Sequence, residues 1–182
     1  MNEVIETILK RTGTTEYRPE QISDQELNVI LKCGVAAPNA FNAQMRHFTA
    51  VQNEEILETI DRRTFDALDA LGDIGEDERN YRPLYGAPTL VLISADRKSD
   101  FGKQDCSCAN ENMAIAAKSL GIGSRYLDAP NMAFEGYQGE KLKALCKIPE
   151  GYDVICSLSL GYPIEPDEKA KEKDFNIISL IK

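Results

Sequence analysis

Apolar side chains recur every three or four residues in five parts of the chain, a spacing typical of helices that pack one face on a core. The spacing predicts a helix from residue 4 to near Gly13, a second between Ser23 and Pro38, and three more over residues 54–71, 105–120 and 139–146. Ser23 and Glu26 form a capping box at the start of the second helix, and Pro38 ends it.

Four shorter apolar runs predict strands over residues 48–51, 89–94, 124–127 and 153–160. The run over 89–94 is continuously apolar, as expected of a central strand that is buried on both faces. Helices and strands do not alternate strictly, so the pattern favours an α+β fold over a doubly wound α/β fold. Because no Gly-x-Gly-x-x-Gly follows a strand, a Rossmann site is not indicated.

Two segments lie outside the predicted helices and strands. Residues 72–86 are predicted to form a surface excursion, in which Tyr81 and Tyr85 either line a ligand pocket or belong to an ordinary loop. Residues 165–174 are polar and precede an apolar tail over 175–181. Since an apolar tail needs something to cover it, we expect the C-terminal extension 165–182 to pack on a partner subunit.

Composition narrows the classes of function. The 182 residues predict a single domain over 1–182, and 21 basic against 30 acidic side chains give a net charge of −9. That charge repels phosphate backbones and argues against nucleic-acid binding. The apolar runs are too short to cross a membrane, and the acidic N-terminus is not typical of a signal peptide.

The metal-binding and redox-active side chains are few. The five cysteines lack Cys-x-x-Cys spacing and are predicted to be buried free thiols, as expected in the cytoplasm. His47 is the only histidine, which excludes two-histidine metal motifs, and we expect it to be structural. No metal site is predicted.

The segment over 36–44 carries the most distinctive chemistry. It combines a helix-ending proline with three side-chain amides, from Asn39, Asn42 and Gln44. Unpaired amides are costly in a core, so the segment is either an ordinary turn or a binding surface for a flat ligand with polar edges, such as a flavin ring.

Five short motifs then follow one another in a specific order. They are Lys10 to Tyr17, Ala37 to Gln44, Gly86-Ala87-Pro88 before a strand, Leu120 to Leu127, and Leu160-Gly161-Tyr162-Pro163. In this order they resemble the FMN-dependent nitroreductase family. There the corresponding elements are Arg-Arg-Ser-x-Arg-x-Phe, Ala-Pro-Ser-x-x-Asn-x-Gln, Ala-Pro before a strand, Leu-Gly-Leu-Gly-Ser-x-Trp-Ile and Leu-Gly-Tyr-Pro.

The resemblance implies a fold and a reaction. The implied fold is a small mixed, mainly antiparallel sheet flanked by helices, built as an interlocked homodimer with FMN at the interface. The implied reaction is ping-pong: NAD(P)H passes a hydride to flavin N5, and a nitroaromatic, quinone or similar electrophilic acceptor then receives it. Because the cofactor carries this chemistry, no protein acid or base is nominated as catalytic.

The resemblance also implies which residues contact FMN. Arg11, Thr12 and Gly13 correspond to phosphate contacts, the segment from Pro38 to Gln44 to ring contacts that reach across from a second subunit, and the segment after Tyr126 to a backbone N–H that faces N5. The implied contacts are Arg11, Thr12, Gly13, Thr15, Pro38, Asn39, Ala40, Asn42, Gln44, Leu127, Asp128, Ala129, Gly161, Lys169 and Lys171.

Some of these positions depart from the family pattern. Thr15 stands where the family has a second basic residue, so one phosphate-binding charge is missing, and Asp128 and Ala129 stand where glycine is usual. Lys169 and Lys171 belong either to the phosphate site or to a solvated linker of alternating charge.

Several rival functions stay open. One is a flavin-binding or redox-sensing protein with little turnover, and another is an oligomeric interaction module without flavin. Among enzymes, the rivals are reductive dehalogenation and flavin fragmentation.

Overall fold

The computed structural model describes residues 2–165 and 172–182. Its α-helices are α1 (Glu3–Lys10), α2 (Asp24–Val35), α3 (Glu54–Leu71), α4 (Gly102–Ser119) and α5 (Gly136–Leu145). Its strands are β1 (Arg46–Val51), β2 (Thr89–Asp96), β3 (Gly123–Leu127) and β4 (Tyr152–Gly161). Short 3-10 turns cover Ala40–Asn42, Glu76–Glu78, Ala129–Phe134 and Phe175–Ile177.

The strands form one sheet in the order β1-β2-β4-β3. Each neighbouring pair of strands in the described part of the chain is antiparallel. The mainly antiparallel sheet that was expected is therefore wholly antiparallel among the described residues. β2 and β4 are the central strands, and β2 is buried along nearly its whole length, as its continuous apolar run predicts.

Each face of the sheet is covered by helices. On one face, Val91 and Ile93 of β2 pack in a core with residues of α2 and α4. On the other face, Leu90 and Leu92 pack with residues of α3, α5 and the 129–134 turn. The period of two along β2 therefore places successive side chains in two different cores. The fold is α+β, as predicted.

Most predicted elements are confirmed, with differences at their ends. α3 spans the predicted residues, and the Ser23–Glu26 capping box is formed in full at the start of α2. α4 begins at Gly102, earlier than predicted, because this glycine lets the helix approach β2: a Cβ added there would lie 2.9 Å from the Cβ of Ala95. The 129–134 turn was not predicted.

The tail over 175–181 exposes its apolar side chains, and Ile181 is fully exposed. Among the described helices, none combines the length and the apolar character needed to cross a membrane. The expectation that all cysteines are buried is wrong for two of them: Cys106, Cys146 and Cys156 are buried, but Cys33 is half-buried and Cys108 is exposed. Cys108 lies on the outer face of α4, where helix periodicity points it away from the sheet.

Candidate functional site

The segment over 11–14 is fixed beside β3. The backbone N–H of Thr14 donates to the carbonyl of Ser124 at 3.0 Å. Thr14 is buried against Gly123, where an added Cβ would lie 2.7 Å from its Oγ1. The glycine at 123 is therefore required by the close approach of this segment to the strand.

Arg11 and Thr12 lie where this segment meets α4. The Nε of Arg11 donates to Oε1 of Glu111 at 3.1 Å, and the Arg11 side chain is half-buried. Arg11, Thr12 and Thr14 line a cavity of about 80 Å³, together with Lys118 at the end of α4 and Glu165. The cavity thus places two cations beside a predicted phosphate-binding motif.

Arg125 of β3 lies against the same segment from a different direction. A Cβ added at Gly13 would lie 3.3 Å from Nη1 of Arg125. The guanidinium carbon of Arg125 lies 4.3 Å from the centre of the Tyr85 ring, which is a cation–π contact. In residues 2–165 and 172–182, no carboxylate forms an ion pair with Arg125.

Tyr85 is in turn packed against Tyr81. The two rings meet edge to face with their centres 5.9 Å apart, and the Tyr81 hydroxyl donates to that of Tyr85 at 3.4 Å. Burial, followed by this hydrogen bond, raises the pKa of Tyr81 to about 12, so Tyr81 keeps its proton at neutral pH. Both tyrosines therefore belong to an ordered cluster under Arg125 rather than to a bare surface loop.

The amide-rich segment over 37–44 is held by two side chains from other elements. Asp105 of α4 accepts the backbone N–H of Ala40 at 3.0 Å. Arg46 of β1 donates to the carbonyls of Ala37 (2.9 Å), Pro38 (3.3 Å) and Asp105 (2.9 Å). These bonds tie the segment to α4 and β1 at its base.

The outer part of the same segment is strained. Phe41, Asn42 and Gln44 have φ of 54°, 52° and 53°, in the left-handed region that non-glycine residues rarely adopt. All three side chains are exposed, and Phe41 is 92% exposed. Such strain persists only where the surroundings enforce it, and it is common at binding sites.

The amides of this segment have different roles. Oδ1 of Asn39 accepts the backbone N–H of Gln44 at 2.8 Å, so this group closes the turn. The side chains of Asn42 and Gln44 are exposed, and both face solvent in the single chain. A plain turn explains Asn39, but it does not explain three left-handed residues with exposed polar or aromatic side chains.

The remaining predicted residues are spread around β3 and the C-terminus. Leu127 is buried at the end of β3, Asp128 is exposed, and Ala129 begins the 129–134 turn. Gly161 is buried, and a Cβ there would lie 2.8 Å from Cδ of Pro88, so close packing accounts for this glycine. Thr15 is exposed, and Lys169 and Lys171 lie outside the described residues.

The sequence interpretation missed four residues of this region: Asp105, Lys118, Arg46 and Arg125. Arg46 follows the amide segment by two positions and matches none of the five motifs. Arg125 lies within the Leu120–Leu127 motif and Lys118 just before it, and no role was predicted for either residue. Their relation to Gly13 and Thr12 exists only in the folded chain.

The donor set suits a ligand that has a phosphate at one end and a flat polar ring at the other. Arg11, Arg125 and the Thr12 hydroxyl offer cations and donors for phosphate. The exposed amides of Asn42 and Gln44 offer donors and acceptors for a ring edge. In the described part of the chain, no group of His, Cys, Asp and Glu side chains is placed to hold a metal ion. The residues present therefore fit a flavin mononucleotide.

Comparison with known proteins gives consistent results. The model of the family described as the Nitroreductase family matches residues 8–162. A protein of Archaeoglobus fulgidus with the provisional name NADH dehydrogenase/NAD(P)H nitroreductase is 34% identical, over 96% of this chain and 90% of its own.

Solved structures also resemble this fold over its full length. A nitroreductase with bound FMN from Bacteroides fragilis NCTC 9343 has a TM-score of 0.88 and 32% identity, with both chains covered completely. A second, with bound FMN, from Desulfitobacterium hafniense DCB-2, has a TM-score of 0.90 and 26% identity, again with 100% coverage of both chains.

Proposed function

Since this chain belongs to the nitroreductase family, we propose that it is a ping-pong enzyme that transfers hydride from NAD(P)H through FMN to an electrophilic acceptor. Membership of this family shows that the protein is an FMN-dependent NAD(P)H oxidoreductase. The observation that carries the proposal is the match of the family model over residues 8–162.

The phosphate end of the cofactor is assigned to the segment over 11–13. Arg11 presents a guanidinium that suits bidentate contact with phosphate, and Thr12 adds a hydroxyl. Gly13 has no side chain of its own, and the side chain of Arg125 lies against this position. Arg11 is bound to Glu111 in the free chain, so phosphate binding has to compete with that carboxylate.

The reactive end is assigned to the residues that follow β3. The backbone N–H groups over 127–129 are proposed to face N5 of the ring, where a hydrogen bond stabilises the reduced form. Asp128 places a carboxylate beside this position. Because a nearby negative charge disfavours added negative charge on the ring, we expect Asp128 to lower the reduction potential of the cofactor.

The segment over 38–44 is proposed to contact the ring in a second copy of the chain. Support comes from its outward orientation, since Phe41, Asn42 and Gln44 all expose their side chains. α1 and the 175–181 tail also expose apolar residues, including Ile8, Leu9 and Ile177. A homodimer that covers these surfaces would bring the amides of one copy to the flavin of the other.

Bound FMN supplies the hydride chemistry, accepting two electrons and a proton at N5 and releasing them to the next substrate. The protein's own part is to bind the phosphate, orient the ring and leave one ring face open. NAD(P)H and the acceptor would occupy that face in turn, which is why the reaction is ping-pong. A nitroaromatic or a quinone is flat and electron-poor, so it can stack on the open face of the ring and accept the hydride.

The test begins with the visible spectrum of the untagged protein after incubation with excess FMN and desalting. We expect two flavin bands at close to one FMN per subunit. Under anaerobic conditions, NADPH or NADH should bleach these bands, and an added nitroaromatic or quinone should restore them. Bleaching in the absence of the acceptor shows that the two half-reactions are separate.

Other results would redirect the assignment. Bands that NAD(P)H bleaches only over hours would indicate a flavin-binding protein with little turnover. A folded protein that retains no flavin after desalting and shows no FMN binding by titration would contradict the proposal. Bleaching that requires the acceptor to be present would contradict the ping-pong order while leaving the cofactor assignment intact.

A further inference from the structure

We propose that Arg125 is the second cation that binds the phosphate group of FMN, in place of the charge that is missing at position 15. This inference rests on the proposed function and assigns a residue to its phosphate site. Arg125 comes from β3, whereas the missing charge would have come from the segment over 11–15 itself.

The position of Gly13 is the first argument. Its missing side chain leaves space that the Arg125 guanidinium approaches, because an added Cβ would lie only 3.3 Å from Nη1. The neighbouring Thr14 is buried against Gly123, which precedes Arg125 by two residues in β3. Arg125 therefore lies beside the segment over 11–13 that is proposed to hold the phosphate.

The second argument is that the guanidinium is held in place. It stacks at 4.3 Å on Tyr85, whose ring packs edge to face on Tyr81. The turn that carries Tyr85 is anchored to α3, since Asp61 accepts the backbone N–H of Leu84 at 2.7 Å and binds Arg82 at 3.0 Å. A fixed guanidinium loses less conformational freedom when it binds an anion.

The third argument concerns charge. The protein has a net charge of −9, so carboxylates are plentiful. Arg97, for example, binds the carboxylates of both Asp153 and Glu140. Arg125 has no carboxylate partner among the described residues, although it is half-buried. A partly desolvated cation without a counter-charge is suited to an anionic ligand.

Lys118 is the competing candidate for the same role. It lines the cavity of about 80 Å³ with Arg11 and Thr12. That cavity also contains Glu165, whose carboxylate opposes an anion. Lys118 also lies in the last turn of α4, where a cation stabilises the helix dipole without any ligand. These features favour Arg125.

The test compares FMN with riboflavin, which has the same ring but no phosphate. Dissociation constants for both are measured by quenching of flavin fluorescence on Arg125→Gln, on Lys118→Gln as the matched control, and on the unaltered protein. We expect Arg125→Gln to weaken FMN binding by about ten- to a hundredfold, as for loss of a hydrogen bond to a charged group, and to leave riboflavin binding unchanged. Lys118→Gln should change neither by more than about twofold.

The results distinguish the role of Arg125 from the proposed FMN-dependent function. Equal weakening of FMN and riboflavin by Arg125→Gln, or a selective loss of FMN in Lys118→Gln alone, would overturn the role of Arg125. If the unaltered protein binds neither flavin, the proposed function itself fails. If Arg125→Gln does not fold, Arg125→Lys replaces it: a several-fold reduced preference for FMN over riboflavin supports the role, and an unchanged preference refutes it.

Discussion

The two segments assigned to FMN are built in opposite ways. The segment over 11–14 is bound to β3 through its backbone, buries Thr14, and has Arg125 of β3 beside its Gly13. The segment over 37–44 is held at its base by Arg46 and Asp105, and its exposed Phe41 ring contacts the ring of Phe101 edge to face. Three of its residues have left-handed backbone conformations. Among the described residues, the first segment is fixed by contacts with β3 of its own chain, whereas the second exposes the side chains of Phe41, Asn42 and Gln44.

This difference corresponds to the two parts of FMN that the segments are proposed to bind, the phosphate and the ring. A phosphate is small and highly charged, so it is best met by cations with fixed positions. A ring face must stay open to substrates, so the groups that contact its edge have to approach from outside. Four substitutions test whether the two segments differ in this way.

The largest expected effect comes from Arg46→Ala. The substitution removes hydrogen bonds to three carbonyls, and the bonds to Ala37 and Asp105 among them are partly buried. We expect the free energy of unfolding to fall by about 2–3 kcal/mol, measured by urea denaturation. Arg46→Lys, which keeps the charge but not the planar fork, should lose about half as much. A loss below about 0.5 kcal/mol would mean that this residue does not hold the segment.

Arg11→Ala should act on the ligand rather than on the fold. It removes a proposed phosphate contact, so we expect the FMN dissociation constant to rise about tenfold or more. Its ion pair with Glu111 is partly exposed, and its loss should lower the free energy of unfolding by less than about 1 kcal/mol. Flavin fluorescence titration and thermal melts measure the two effects.

The control for Arg11 is Arg18→Ala, which removes an exposed charge from the same part of the chain. It should leave the FMN dissociation constant within about twofold. Unchanged FMN affinity in Arg11→Ala would remove Arg11 from the site, and equal losses in both variants would point to a general effect of charge.

Phe41→Gly tests the strain in the outer segment. Glycine adopts a φ of 54° without a steric penalty, and Phe41 is 92% exposed, so the packing lost is mainly its edge-to-face contact with Phe101. We expect the free energy of unfolding of dilute, flavin-free protein to rise by about 0.5–1 kcal/mol. Ala43→Gly is the matched control, because Ala43 has a φ of −69° and should gain nothing. Destabilisation by Phe41→Gly would show that its side chain is already covered.

The smallest expected effect is that of Glu111→Gln. This change frees Arg11 from its carboxylate partner and removes a negative charge near the proposed phosphate. The FMN dissociation constant should fall about two- to fivefold, with less effect at high salt because the charges are screened. Glu150→Gln, at an exposed position elsewhere, should have no effect. Weaker FMN binding in Glu111→Gln would mean that the ion pair orients Arg11 for the ligand.

The sequence predicted most of the fold because the signals for helices and strands are local. α3 could be delimited from its apolar spacing and the glycine at 72, and α2 from its capping box and Pro38. The early start of α4 was missed, since glycine is a poor helix former and its advantage at Gly102 lies in contact with Ala95 of β2. That contact joins elements that no local window contains.

The site was predictable only in part. The motifs identified the segments over 11–13 and 38–44, whose own residues are proposed to bind the ligand. They did not identify Arg46, whose three carbonyl partners are arranged by the fold, or Arg125, whose surroundings come from Gly13 and Tyr85. Gly161 looked like a ligand contact in the motif, but it also serves close packing against Pro88 and Tyr17.

The sequence by itself determined the elements of this protein, their apolar faces and the order of its motifs, because short-range spacing and capping encode those features. Only the tertiary structure decided which charges are paired. Arg97 binds two carboxylates, whereas Arg125 stacks on an aromatic ring and lies beside Gly13. Whether two charged groups pair depends on the distance between them and on their burial in the folded molecule. Residues that are far apart in the chain determine both.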